Sequence, residues 1–506
     1  MFFIFSKEGY MMTNRRYQEV QPRDTVQLLP PCLDDYVAAD NPVRAIDAYV
    51  DSLDLGAMGF RHAEMHSGSG QPPFDPALLL KLYMYGYQNR IHSSRRLEAA
   101  TRCNVEVMWL CQNARPSYKT IADFRKDNLK ALKQVNRDFV GDCRELSLLG
   151  GTRVAVDGTF LKASANRDSV HTKASLERSL ARLDKLIESH YRAMDQADAS
   201  DSADDDPPDP DLVRKMEELL ARRAKRQALQ EQLEASGGTQ VSEVDPDARL
   251  LSRSGRSVVG YNGQIAVDDK AKLIVATELV QDGNDSGQLE PMMTRASEAI
   301  GSSGLTGLAD TGYANGNHLK ACGDKGMEMY VPLPDIRTRK GRNGRIGSGE
   351  FLYDRTTDSY VCPTGHKLVH KGQMSVRKDK RYLLYRSDTR VCKCCPLASR
   401  CLSGERSYRP IHRWEHEDVM DRHRQRMADD KGEVMGLRGS LVEHPFGTLK
   451  VWAGVHHFLM RGLHKCRGEF NLMALCYNFR RVLKEIGVEA FVAYCRVRKE
   501  AQGIGV

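Results

Sequence analysis

Two adjacent glycines, Gly150 and Gly151, divide this 506-residue sequence into two parts with different secondary-structure patterns. Before them, helix-forming residues and helix start signals predominate, as at Asp75 and Pro76, where a capping acid precedes a first-turn proline. After them, short β-branched runs such as residues 153–156 alternate with helical patterns. The sequence therefore predicts an all-α N-terminal domain over residues 23–149, followed by an α/β domain over residues 150–490.

The N-terminal part reads as short helices separated by tight turns. Residues 118–135 form one basic amphipathic helical pattern, which includes Lys119, Arg125 and Lys126. Such an arrangement resembles a helix-turn-helix DNA-binding region, in which these three cations would contact DNA. A plain helical bundle with a solvated charged face explains the pattern equally well. Residues 1–22 are expected to be disordered, and residues 491–506 form a C-terminal tail.

Two stretches interrupt the α/β domain. Residues 173–250 carry helical leucine spacing on either side of the acidic, proline-rich tract 195–211, which cannot build a core. They predict a helical hairpin with a disordered tip, for which a solvent-facing coiled-coil arm is the simplest interpretation. Residues 330–430 are rich in Gly, Arg, Lys, Tyr and Cys with short strand signals, and predict a small β subdomain. Between them, residues 257–277 predict a β-hairpin.

Charge and cysteine content narrow the class of protein. Lysine and arginine together exceed aspartate and glutamate by 8, and eight acids are concentrated in the tract 195–211. The remaining surface suits a polyanion such as nucleic acid, although solvated lysines alone could explain it. Thirteen cysteines, an odd number and mostly scattered, indicate a reducing cytoplasm. Because no apolar stretch approaches ~18 residues, we expect no membrane span.

Two aspartates follow short apolar runs, Asp157 after Val-Ala-Val and Asp310 after Gly-Leu-Ala. Each is followed by turn residues, so the pattern places both acids at strand ends. Strand ends of α/β sheets gather ligand and metal groups, because the sheet fixes the side chain while the following loop stays open. Taken singly, an aspartate at such a position is usually turn chemistry.

A third acid lies near the C-terminus. Glu443 and Lys450 are seven residues apart, which is two helical turns, so they are predicted to project from one helix face. Pro445 requires that this helix begin near Val442, with the proline in its first turn. A carboxylate at a helix start beside a cation suits metal binding next to a phosphate. The alternative is an exposed charged helix.

Together these passages resemble bacterial insertion-sequence transposases of the DDE class, most closely the insertion-sequence eleven-eighty-two group. The matching segments are residues 156–159, 309–313, 442–450 and 115–125, and the likeness extends from about residue 20 to 490. The resemblance implies an RNase H-like catalytic core, a mixed sheet flanked by helices, interrupted by the two insertions. It also implies that Asp157, Asp310 and Glu443 hold two divalent metal ions, Mg²⁺ or Mn²⁺.

One spacing departs from the family pattern. Many relatives have a tyrosine three residues before an arginine that lies four before the glutamate. Here Met435 stands three before Arg438, and Arg438 lies five before Glu443. Arg438 and Lys450 are the candidates for phosphate contacts. Two metals at the two ends of an in-line displacement activate the nucleophile and offset charge on the leaving oxygen, and hard oxygen ligands suit magnesium.

Five cysteines lie between positions 362 and 401. Cys362, Cys392, Cys395 and Cys401 provide one CxxC pair and two further thiols, which could complete a structural, all-thiolate zinc site. Cys394 is an extra candidate. Reduced cysteines that simply fill a small β subdomain are the alternative.

The sequence is therefore interpreted as a DNA transposase that binds transposon ends and catalyses metal-dependent strand cleavage and transfer. Its expected partners are terminal inverted repeats, target DNA and further copies of itself in a synaptic complex, in the bacterial cytoplasm at the nucleoid. A catalytically inactive DNA-binding relative is one alternative. A zinc-ribbon nucleic-acid adaptor is another, but it leaves the three acids unexplained.

Overall fold

The computed structural model describes residues 32–64, 72–200, 210–253, 255–334, 344–377, 380–402, 405–430, 432–452, 454 and 457–503. The predictions for residues 1–22 and for most of the acidic tip fall outside these ranges. The helices on either side of the tip continue to Ser200 and resume at Pro210, so the predicted loop is shorter than expected. Among the described residues, no helix has the length and apolar character needed to cross a membrane.

Helices form the N-terminal quarter, and polar caps begin most of them. Asn41, Asp75, Asn104 and Ser117 each accept a hydrogen bond from a first-turn backbone N–H. The helices are α1 (Pro42–Asp51), α2 (Pro76–Gln88), α3 (Ser94–Cys103), α4 (Val105–Leu110), α5 (Tyr118–Asp127) and α6 (Leu129–Glu145).

The prediction of one continuous helix over residues 118–135 is wrong. Asn128 separates α5 from α6, because its backbone, at φ −111° and ψ 29°, is not helical, although its N–H still donates to the Phe124 carbonyl. The Asn128 side chain donates to the Phe124 carbonyl at 2.8 Å and accepts from the Arg61 backbone N–H at 2.8 Å. The second helix therefore begins separately at Leu129.

A mixed sheet forms the centre of the protein. Its strands are β1 (Arg153–Lys162), β4 (Arg249–Arg253), β5 (Arg256–Asp268), β6 (Ile274–Val280), β7 (Thr306–Leu308) and β8 (Glu328–Tyr330). The order is β4-β5-β1-β7-β8, with β6 also paired to β5. β5 is antiparallel to β1, β4 and β6, whereas β7 is parallel to both β1 and β8. The predicted hairpin is thus β5 and β6.

Both faces of this sheet are covered, as the alternation along β1 requires. Val154 and Val156 pack into an apolar cluster with α9 (Leu289–Ile300) and α10 (Gly316–Asp324). Ala155 and Leu161 belong to a second cluster that includes α15 (Leu463–Ile486). Because Asp157 is in phase with Ala155, its side chain leaves β1 on the α15 side.

The N-terminal helices share this second cluster with the sheet and the C-terminal helices. Tyr49 of α1, Phe139 of α6 and Phe479 of α15 contact one another through tilted or edge-to-face rings, and Phe491 of α16 (Val488–Ala501) completes the group. The ring centroids of Tyr49 and Phe139 are 5.1 Å apart. The N-terminal helices α1–α6 therefore share a common core with α15 and α16, so the predicted N-terminal domain does not pack separately.

The predicted helical hairpin is present as α7 (Lys173–Ser200) and α8 (Pro210–Ser236), which pack along each other. A short antiparallel pair, β2 (Val170–Thr172) and β3 (Gln240–Ser242), closes its base. Leu176, Leu229, Leu233 and Val241 form its own small apolar cluster.

A second sheet occupies residues 344–414. Its five antiparallel strands are β9 (Leu352–Asp354), β10 (Ser359–Val361), β11 (Lys367–Arg377), β12 (Lys380–Arg386) and β13 (Pro410–Trp414). Short helices α11 (Thr389–Lys393) and α12 (Ala398–Cys401) follow β12. Phe351, Tyr360, Leu368, Tyr385 and Ile411 give this unit an apolar core of its own. Helices α13 (Glu417–Asp429) and α14 (Glu433–Gly447) return the chain to the central sheet.

Candidate active site

Asp157 does not lie at a strand end, so that prediction is wrong. β1 continues through Gly158 to Lys162, because β5 provides a hydrogen-bonding partner along the whole length. Asp157 is opposite Ile265 in this register, in the middle of the strand. Gly158 then has a packing role: an added Cβ would lie 2.2 Å from Gln264 and 2.6 Å from Asp285. The Asp-Gly pair is therefore part of a strand and not of a turn.

Asp310 does follow its strand, as predicted. It lies just after β7, and its side chain accepts a 2.8 Å hydrogen bond from the Gly312 backbone N–H at the start of a 3₁₀ turn. Ala155 pairs with Leu308 in parallel register, so Asp157 and Asp310 each lie two residues further along neighbouring strands. Parallel pairing therefore brings the two acids side by side.

The two aspartates converge on Arg438 of α14. Nη2 of Arg438 lies 3.1 Å from Oδ2 of Asp157 and 3.7 Å from Oδ2 of Asp310. The two carboxylate oxygens are therefore no further apart than the sum of these distances. Nε of Arg438 is buried and makes no hydrogen bond within the described residues. This guanidinium offsets the charge of both acids at once.

A buried carboxylate next to this pair was not identified from the sequence. Asp285, 4% exposed, accepts hydrogen bonds from Asn262 at 2.8 Å and Gln264 at 2.7 Å. Arg253 at the end of β4 joins it to the site, since its Nη1 lies 3.4 Å from Asp285 and its Nη2 lies 2.9 Å from Asp310. The only local sign in the sequence was a polar loop after β6, which is also typical of an ordinary surface loop.

The electrostatics of the pair follow from partial burial. Burial raises the pKa of Asp157, while the Arg438 guanidinium and the Gly158 backbone N–H lower it. Burial also raises the pKa of Tyr313, and the neighbouring Asp285, Asp157 and Asp310 raise it further. Three carboxylates therefore surround one buried phenol, whose hydroxyl donates to Gln264. Arg438 and Arg253 offset the negative charge of these carboxylates.

Glu443 lies on a longer helix than predicted. α14 begins at Glu433, so Pro445 is inside the helix and the predicted start near Val442 is wrong. After the proline, the helix continues into a wider π-helical turn over Thr448–Trp452. Glu443 is exposed and makes no hydrogen bond or ion pair with any described residue. A Cβ added at Gly439, the residue after Arg438, would lie 3.5 Å from Oε1 of Glu443.

The widened turn separates Lys450 from Glu443. Lys450 is half-buried, and its Nζ donates to Oγ1 of Thr159 on β1. Because Thr159 and Asp157 are two residues apart on one strand, they share a face. Burial lowers the pKa of Lys450, whereas nearby Asp157 raises it. Lys450 therefore lies beside the acid pair, while Glu443 faces solvent.

The donor chemistry of this site fits a divalent cation only in part. Carboxylate oxygens are the ligands that Mg²⁺ prefers, and those of Asp157 and Asp310 converge. Throughout the described ranges, however, no three or more His, Cys, Asp or Glu side chains are grouped closely enough to hold a metal ion. The predicted third ligand, Glu443, is not placed with the other two.

The cysteine cluster comes together around one small cavity of about 30 Å³, which is lined by Cys362, Cys392, Cys395 and Cys401. Burial raises the pKa of the Cys401 thiol; Arg409 lowers it, and the three other thiols raise it further. Cys394 is exposed. The four thiols are not grouped as closely as metal ligands, so the zinc site stays a prediction.

The predicted DNA-binding cations of α5 differ in their surroundings. Lys119 and Lys126 are exposed, and Lys126 has acids at 3.6 and 4.0 Å. Arg125 is buried: Nη1 lies 3.1 Å from the Tyr87 hydroxyl and 3.9 Å from Glu469. The prediction of a DNA contact by Arg125 is therefore inconsistent with its position, since it could reach a phosphate only after local unfolding.

Two parts of the chain resemble known protein families. No curated protein gives a significant match. Among solved structures, the cryo-EM structure of the piggyBac transposase synaptic complex with hairpin DNA matches at 8% identity with a TM-score of 0.33, covering 91% of this chain and 79% of that one. Two family models match: Transposase domain (DUF772) at residues 31–127 and Transposase DDE domain at residues 361–483. The second match includes Glu443 and Lys450 but neither aspartate. The N-terminal helices are thus similar to the DUF772 transposase domain, and the C-terminal part is similar to the transposase DDE domain.

Proposed function

We propose that this protein is a DNA transposase of the insertion-sequence eleven-eighty-two group, which binds transposon ends and cleaves and transfers DNA strands with a divalent metal. The convergence of Asp157 and Asp310 on one guanidinium nitrogen is the observation that carries the proposal. The two transposase domain matches support the reaction class. A mixed sheet with helices on both faces fits an RNase H-like core, with α7–α8 and the second sheet as insertions.

Asp157, Asp310 and Glu443 would hold the metal ions, and transposase DDE domains generally use a divalent metal such as Mg²⁺. When bound, such ions activate the attacking hydroxyl or water and offset charge on the leaving oxygen. The chain itself contributes rigidity, since β1 and β7 fix the two aspartates. Arg438 and Arg253 are cations that can move from carboxylate to phosphate partners when DNA enters.

The test is cleavage of terminal-repeat DNA by the full chain, with Mg²⁺ against EDTA. Strand cleavage and joining only with Mg²⁺ supports the proposal, and the acid variants argued in the Discussion assign the chemistry. A chain that binds terminal repeats but never cleaves them would favour the inactive relative. We expect the active transposase to act as a homo-oligomer on two transposon ends at the bacterial nucleoid.

Substitutions at Lys450 and at Glu443 should impair different steps of the reaction. Lys450→Ala removes the ammonium beside Asp157, so we expect weaker terminal-DNA binding and slower cleavage with an unchanged magnesium requirement at saturating DNA. Glu443→Gln should spare DNA binding and abolish cleavage, because it loses a metal-binding charge without changing shape. The measurement is a magnesium titration of cleavage for each variant.

Exposed Glu489 on α16, as Glu489→Gln, is the matched control and should behave as wild type in this titration. Normal DNA affinity and rate in Lys450→Ala would contradict its phosphate contact. Near-normal cleavage in Glu443→Gln would show that α14 does not bring this acid to the site.

We also propose a structural zinc ion at the cysteine cavity. Four thiols that line one cavity support it, since thiolates are preferred zinc ligands. The purified chain should then carry about one zinc per molecule, and Cys395→Ser should lose it. Cys394→Ser is the matched control, because Cys394 is exposed and does not line the cavity. Metal analysis that finds no zinc in wild-type protein would leave the cysteines as packing residues.

A further inference from the structure

A large cavity lies away from the aspartate pair, between α6 of the N-terminal part and α9 of the central domain. Its volume is about 390 Å³, and the edge of β6 and Asn471 of α15 complete its walls. Lys133, Arg137 and Arg144 line it from α6. Their spacings of four and seven residues place all three on one face of that helix. We call this cavity the α6–α9 cleft.

The cleft is unevenly charged. Arg295 of α9 adds a fourth cation to its lining, against a single lining carboxylate, Glu298. Arg295 is paired with Glu278 at 2.7 Å, and the same carboxylate also lies 2.5 Å from Arg467. One half-buried carboxylate, that of Glu278, is therefore paired with two arginines.

In the part of the chain that the structure describes, Lys133, Arg137 and Arg144 form no ion pair. Burial lowers the pKa of Lys133, and the neighbouring Arg137 and other cations lower it further while Glu278 raises it. Exposed cations crowded in this way create a positive potential that an anion would relieve.

The cleft is near enough to the aspartates to serve the same DNA molecule. Asp157 pairs with Ile265, and Ile265 pairs with Thr277, which lines the cleft. Two strand spacings separate Asp157 from Thr277, about 10 Å. Helix α15 packs against β6, and its Asn471 lines the cleft. One turn of duplex DNA, about 34 Å, can span both.

We propose that the α6–α9 cleft binds the phosphodiester backbone of DNA outside the reacting centre. This inference rests on the proposed function, because it takes DNA as the polyanion. Arginine presents a planar fork that matches phosphate oxygens, and lysine adds a point charge. Phosphate contacts of this kind position a duplex without reading its sequence. The cleft would thereby join the N-terminal helices and the central domain on one DNA backbone.

The experiment compares full-length wild type with the triple variant Lys133→Gln/Arg137→Gln/Arg144→Gln. Affinity for duplex DNA is measured across a salt series in EDTA, so no cleavage is needed. The triple variant should bind on the order of 10-fold more weakly near 0.1 M salt, with a salt slope shallower by ~0.9 for each lost phosphate contact. The loss should be equal for terminal-repeat and unrelated duplexes, and Lys-for-Arg changes at 137 and 144 should restore most of it.

The matched control removes the same charges elsewhere. Arg182→Gln/Lys185→Gln/Arg222→Gln acts on exposed residues of α7 and α8 and should bind like wild type. If the control variant lost as much DNA affinity as the triple variant, the loss would be explained by net charge alone, and the proposal would be overturned. Unchanged affinity and slope in the triple variant would also overturn it, as would a change confined to self-association. DNA binding is measured without metal and therefore does not depend on cleavage. A wild-type protein that never cleaves DNA would contradict the proposed function, but the binding comparison would still test the α6–α9 cleft.

Discussion

Replacing Asp157 with asparagine should abolish DNA cleavage while leaving DNA binding nearly intact. The substitution keeps the shape of the side chain but removes the charge that β1 holds against Arg438. Asp310→Asn should do the same, since its carboxylate converges on the same nitrogen. Removing one such electrostatic group from a catalytic site costs on the order of 10²–10³ in rate or more. The measurement is the single-turnover cleavage rate of terminal-repeat DNA in Mg²⁺.

Asp324→Asn provides the control. Asp324 is an exposed acid on α10 whose partner, Lys320, lies on the same helix. Its loss should leave both rate and affinity unchanged, because exposed pairs contribute little. If either Asp157→Asn or Asp310→Asn kept near-normal cleavage, that residue would not hold metal and the assignment of the acid pair would be wrong. Loss of DNA binding together with cleavage would point instead to a folding defect.

Periodicity and turn chemistry were enough to predict much of the architecture. Local patterns indicated the β5–β6 hairpin, the α7–α8 hairpin and the second sheet. Each of them has apolar residues spaced with the period of its own secondary structure. The sequence also marked Asp157 and Asp310 as candidate site residues, and their proximity follows from parallel pairing of β1 and β7. What local patterns could not predict is that β5 extends β1 well beyond Asp157, since strand length is set by the partner.

Long-range packing explains the remaining differences. Asp285 belongs to the site through Arg253, Asn262 and Gln264, and those contacts bridge 20 or more residues of chain. Pro445 was expected in a first turn, but α14 starts earlier, and the helix widens into a π-helical turn after the proline. Lys450 consequently reaches Thr159, a contact that ideal helical spacing does not predict.

Arg125→Gln should destabilise the protein strongly, even though the sequence marks this residue as one of several cations on a basic helix. Its guanidinium is 6% exposed and lies over the Tyr83 ring at 5.3 Å. Its partner Glu469 is 1% exposed and also accepts backbone hydrogen bonds from Leu459 and Met460. Removing one member of a buried pair leaves the other charge uncompensated and costs about 3–5 kcal/mol. The midpoint of urea unfolding measures it.

The neighbouring residue gives the contrast that decides the role of Arg125. Lys126 is exposed with only long contacts to acids, so Lys126→Gln should change stability by less than about 0.5 kcal/mol. If α5 contacts DNA, Lys126→Gln should make the salt dependence of binding shallower by about one phosphate contact. Folded Arg125→Gln protein should keep the wild-type salt slope, because a buried guanidinium neutralises no phosphate. The opposite pattern, normal stability with a shallower slope, would restore Arg125 as a DNA contact and would require α5 to rotate away from α15 when DNA binds.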